Sequence, residues 1–76
     1  TGVAGPEVGV DGDSLTVRWM ANALARNGFT PVLPADGVPC VRCVSPTCLE
    51  VSHPGSATSV TVSCISQAIQ FLMSLS

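Results

Sequence analysis

The sequence contains no lysine and no tyrosine, and its 76 residues include only three arginines, five carboxylates and one histidine. Nucleic-acid affinity comes largely from Lys and Arg neutralising phosphates. With Arg18, Arg26 and Arg42 set against a net charge of −2, no nucleic-acid partner is expected. Formal charge stops at Glu50. The longest charge-free apolar stretch, Ile65–Leu75, is interrupted by Ser66, Gln67, Gln70 and Ser74. It falls well short of the roughly 20 residues that cross a bilayer, so no membrane span is expected. No basic segment followed by an apolar one opens the chain, and no signal peptide is expected in it. Glycine patterns for phosphate or dinucleotide binding are missing. Glu7, Asp11, Asp13, Asp36 and Glu50 show no paired spacing for acid–base work. His53 is the one side chain whose ordinary pKa suits a general base, and Pro54-Gly55 follows it in a turn. The chain reads as a non-enzyme.

What the sequence does have is apolar bulk and thiols: 46% hydrophobic residues, 11% charged, and four cysteines. An average domain is about 25% charged. A chain this short supports one modest core, and domains of this size gain from disulfides, a metal or oligomerisation. Three cysteines and the histidine fall within Cys40–His53. Cys40-x2-Cys43-x4-Cys48-x4-His53 offers four ligands of the kind tetrahedral zinc takes, with Cys64 as a substitute for His53. Zinc is the only cofactor this pattern suggests. A second reading pairs Cys43 with Cys48 across a hairpin and Cys40 with Cys64, stapling a secreted binding protein. A third keeps all four as free thiols packed as small hydrophobes. A redox role for Cys40-x2-Cys43 would need a strand-to-helix junction, whereas the pair lies inside a β-like run.

In chain order, the glycine-rich residues 1–12 read as a flexible arm with a short edge strand around Val8–Val10. Residues 13–76 form a single small α+β domain. Asp13 or Ser14 caps a helix over Ser14–Asn27, and Gly28 stands where a left-handed residue ends it. Val17, Met20, Ala21 and Leu24 share the core face. Leu15, Trp19 and Ala23 form a second patch beside Arg26, the combination enriched at binding hot spots. Thr30–Leu33 is an edge strand because Pro31 cannot donate to a ladder. Val38–Val44 and Cys48–Ser52 flank a Ser-Pro-Thr turn as a hairpin. Ser56–Ser76 reads as one long helix. The expected fold is therefore helix, three short antiparallel strands and a long helix, with both helices on one face of the sheet.

On a helical wheel the apolar residues of Ser56–Ser76 cover more than half the circumference, wider than the roughly 100° stripe one core contact uses. An uncovered apolar surface of that extent invites association. The expected function is a regulatory or interaction module that forms a homodimer or docks on a protein partner. Its expected interface residues are Val62, Ile65, Ile69, Leu72 and Met73, with Trp19 and Arg26 adding a second contact.

Three partial resemblances accompany this reading. The ligand spacing of Cys40–His53 resembles a retroviral-type zinc knuckle with its last two ligand types exchanged, but without the knuckle's glycine, aromatic and basic residues. Gly12-Asp13-Ser14-Leu15 resembles the phosphopantetheine site of acyl and peptidyl carrier proteins, whose fold places a full helix before that serine. The helix–strands–helix order is similar to a double-stranded RNA-binding domain, whose second helix opens on lysines where this chain has Ser56, Thr58 and Ser59. The knuckle and RNA-binding resemblances lack side chains those families use, and the carrier resemblance is confined to Gly12-Asp13-Ser14-Leu15.

Overall fold

The computed structural model describes residues 5–74. Residues 1–4 of the expected arm, and residues 75 and 76 of the expected long helix, lie outside that range. Five strands and two helices follow in the order β1 (Glu7–Asp11), α1 (Ser14–Arg26), β2 (Thr30–Val32), β3 (Cys40–Ser45), β4 (Cys48–His53), β5 (Thr58–Val62) and α2 (Ile65–Ser74). The strands form one mixed sheet in the order β2-β1-β3-β4-β5. β1 runs parallel to β2 and β3, and β4 runs antiparallel to β3 and β5. The class is α+β, but the sheet of three short antiparallel strands is corrected to five strands of mixed direction. Two further strands account for the difference.

The first of these, β1, lies where a short edge strand around Val8–Val10 was expected within the glycine-rich arm, but it occupies an inner position, paired on both sides. Val8 and Val10 are buried against the helices. Gly9, between them, faces the other side, where the chain passes close overhead. A Cβ at Gly9 would lie 3.0 Å from the Pro34 Cα. The Gly9 N–H donates to the Pro39 carbonyl at 2.7 Å. Glycine here permits a close crossing, and a larger side chain would force Pro34 to move.

The second, β5, falls where the long helix was expected. Thr58, Val60 and Val62 are half-buried and alternate with exposed Ser59 and Thr61, the period of a strand. The β-branched residues of Thr58–Val62 favour this pleated geometry. The wide apolar arc of Ser56–Ser76 came from projecting a strand and a helix onto one wheel. Across the sheet, Val10, Val41, Val51 and Val60 lie opposite one another in a continuous row under the helices.

Both helices cover that face and share one core with it. Met20 and Leu24 of α1, Ile65, Ala68, Ile69 and Leu72 of α2, and Val8, Val41, Leu49 and Val51 of the sheet form a single buried cluster. The Asp13 carboxylate caps α1, accepting from the Thr16 N–H at 2.8 Å. At the other end, Gly28 adopts φ +86°. The N–H groups of Gly28 and Phe29 return to the carbonyls of Ala25 and Leu24 at 3.2 and 3.0 Å. This double closure satisfies the last carbonyls and turns Phe29 into the core. At the start of α2, the Gln67 side chain reaches back to accept from the Ser63 N–H and hydroxyl.

Candidate functional site

The β3–β4 hairpin ends in a turn at Pro46-Thr47, and its register shifts between Cys43 and Ser45. The shift is a bulge at Val44, which leaves that side chain exposed. Beside the hairpin turn lie the first turns of α1 and the entry to α2. Together they enclose a groove of about 370 Å³. Trp19 and Thr16 form one wall, Cys43 and Cys48 another, and Cys64 lies at the α2 end. The Cys43 thiol donates to the Ser45 carbonyl at 3.3 Å, which holds it in the hairpin. Trp19 is 52% exposed although it belongs to a helix whose opposite side buries Met20 and Leu24 completely. Leu15, one turn earlier, is also exposed. The groove thus pairs a large amphipathic ring with apolar walls and three thiols.

The structure distributes the expected site residues differently from the sequence reading. Ile65, Ile69 and Leu72 are 8%, 6% and 5% exposed and belong to the chain's own core. Val62 packs against the same cluster. Of the expected α2 contacts, Met73 is the exposed one, at 56%. Trp19 and Arg26 are both exposed on α1, two helical turns apart.

The zinc set of Cys40, Cys43, Cys48 and His53 does not assemble. Cys43 pairs opposite Leu49 on the helix-covered side. Cys40, three residues earlier, faces the other side of the pleat beside Gly9. His53 stands at the far end of β4 from Cys48. Among the described residues, no three of His, Cys, Asp and Glu group closely enough to hold a metal ion. Substituting Cys64 for His53 leaves Cys40 on the wrong face. All four cysteines are free thiols. A Cys40–Cys64 bridge is excluded by register. Val62 aligns with Leu49 and Cys43, already three residues or about 10 Å along the strands from Cys40, and Cys64 lies beyond Val62 toward the hairpin turn. Disulfides require Cα atoms within about 7 Å.

The uncovered face of the sheet carries a second constellation. Asp11, Arg42 and Glu50 are cross-strand neighbours, with Arg42 nitrogens 3.5 Å from Asp11 and 3.8 Å from Glu50. All three are solvent-accessible, so the pairs add little stability. Below them, an open cleft of about 470 Å³ lies between Cys40, Ser52, His53 and the loop around Asp36. Burial pushes the Cys40 thiol pKa up, outweighing the nearby Arg42 guanidinium. A thiol held neutral is a poor nucleophile. The His53 Nδ1 is buried without a hydrogen-bond partner, its ring against Gly55. Sequence reasoning missed the Asp11–Arg42–Glu50 row because it depends on parallel pairing between β1 and β3, which leaves no local signal.

A family model for the iron ABC transporter C-terminal domain matches residues 4–73. No curated protein and no solved structure matches the chain.

Proposed function

The chain belongs to the iron ABC transporter C-terminal domain family, and from that premise we propose that it is a non-enzymatic module that docks on a protein partner within a transporter system. The contact surface in this reading is the groove walled by Trp19, with Leu15 one turn earlier on α1. The observation that carries it is the exposure of Trp19, the chain's only tryptophan, at the edge of that groove. A Trp left half-open one helical turn from an exposed Leu suits an interaction site. Catalysis has less support, because Cys40 is held as a neutral thiol and the Asp11–Arg42–Glu50 row is solvent-screened.

Trp19 also reports on its own surroundings. Mixing the chain with the remainder of its transporter is expected to shift the Trp19 emission to shorter wavelength as the ring leaves water. Trp19→Ala is expected to weaken the association by at least about tenfold, the scale of a hot-spot aromatic. Undiminished binding by a folded Trp19→Ala protein would refute the groove as the contact.

A further inference from the structure

Three of the four cysteines, Cys43, Cys48 and Cys64, line the Trp19 groove as free thiols. Cys64 is exposed, whereas Cys43 and Cys48 are half-buried. Cys43 is already engaged, donating to the Ser45 carbonyl and packing against the core. Register brings the other two together. Val62 pairs with Leu49. One step further toward the hairpin turn, Ser63 comes level with Cys48, and Cys64 follows on the diagonal. Strands about 4.8 Å apart and a rise of about 3.3 Å per residue give that diagonal a Cα separation of about 6 Å. Disulfides span roughly 4.4–6.8 Å between Cα atoms. β5 ends at Val62 and α2 begins at Ile65, so Cys64 is released from the strand's alternation. It opens onto the same groove as Cys48.

We propose that Cys48 and Cys64 are a reversible oxidation site, joined by a peroxide oxidant into a disulfide across the end of the groove. The exposed Cys64 sulfur attacks hydrogen peroxide and the O–O bond breaks. One oxygen stays on sulfur as a sulfenic acid, and the other leaves as water with the thiol proton. The Cys48 sulfur then attacks the Cys64 sulfur, the S–O bond breaks and a second water departs. Two thiols and one peroxide thus become one disulfide and two waters. Exposure assigns the roles, since the oxidant meets Cys64 first and the half-buried Cys48 resolves the product. The bridge would tie the start of β4 to the entry of α2 and fix that end of the groove. Nothing in this chemistry depends on what docks there, so it stands or falls apart from the docking reading.

Peptide mapping of the whole chain without reductant, after brief treatment of the reduced protein with hydrogen peroxide, tests it. Cleavage at Glu50 places Cys48 and Cys64 on different peptides. The expected result is an intact chain lighter by two hydrogens, with those two peptides linked and the link undone by dithiothreitol. Fragmentation of the linked pair locates the bridged residues in the wild-type protein itself. Cys48→Ser and Cys64→Ser are each expected to abolish the link. Cys40→Ser and Cys43→Ser, confirmed as folded by circular dichroism, are expected to keep it. The bridged protein is expected to melt several degrees higher, because the link restricts the unfolded chain. Conversion of Cys64 to sulfinic acid with no linked peptide overturns the proposal, as does a bridge from Cys64 to Cys43 or to a second chain.

Discussion

Asp13 shows how one side chain sets both a helix and its response to pH. Hydrogen bonds from the backbone and hydroxyl of Thr16 hold its carboxyl below the ordinary 3.8. A carboxylate with a lowered native pKa stabilises fully above the unfolded value and loses that contribution as pH falls through the native one. The cap is therefore intact at neutral pH and fails only in acid, below about pH 3.8. Asp13→Ala is expected to lower the melting temperature at neutral pH. Asp13→Asn keeps the acceptor but cannot titrate, and is expected to melt near the wild type at neutral pH with a shallower loss in acid. Thermal melts of the three proteins across the acid range check this. The thiols divide in the same residue-by-residue way. Cys64 is exposed, whereas burial raises the Cys40 pKa. Iodoacetamide at neutral pH is expected to modify Cys64 well before Cys40, read by peptide mass mapping after brief exposure. Faster labelling of Cys40 would contradict its place against Gly9 and the Pro34 crossing.

At the scale of elements, α2 separates a core helix from an interface helix. Its buried residues Ile65, Ala68, Ile69 and Leu72 belong to the same cluster as Met20 and Leu24. Truncating Leu72 or Ile69 to alanine is expected to cost about 2–5 kcal/mol. That is a large share of the stability of a domain this size. Leu33→Ser, at an exposed site, is expected to stay within about 0.5 kcal/mol of wild type. Urea titrations followed by Trp19 emission compare them. Elements whose signal is local were legible in the sequence. These were α1 with its Asp13 cap and Gly28 stop, the β3–β4 hairpin around its Ser-Pro-Thr turn, and the Pro31 edge strand. β1 was legible only as a short edge strand around Val8–Val10 within a flexible arm, because two valines around a glycine give no sign of partners on both sides. Its inner position also depends on parallel partners that lie far away in sequence. β5 was hidden by its join to α2, which let one wheel absorb two elements of different period.

For the whole molecule, the low charge that first suggested a large exposed apolar surface has a different consequence. Most of the apolar residues of the C-terminal half line one core between two helices and the sheet. Among the described residues, what stays open is smaller and more specific: the Trp19 groove at the hairpin turn and the charged row on the uncovered face. The candidate site was half legible. Trp19 stood out as a lone aromatic on a second helix face, but its meeting with Cys43, Cys48 and Cys64 follows from tertiary packing alone. The metal reading lost its basis for the same physical reason, since alternation along β3 and β4 separates residues that are close in sequence.

The measurement that bears most directly on the account is amide hydrogen exchange of the intact chain, alone and with the transporter components proposed as its partner. The groove reading predicts new protection around Leu15–Trp19, Cys43–Cys48 and Ser63–Cys64, with the uncovered sheet face unchanged. Protection confined to that face, around Asp11, Arg42 and Glu50, with the groove as exposed as before, would contradict it.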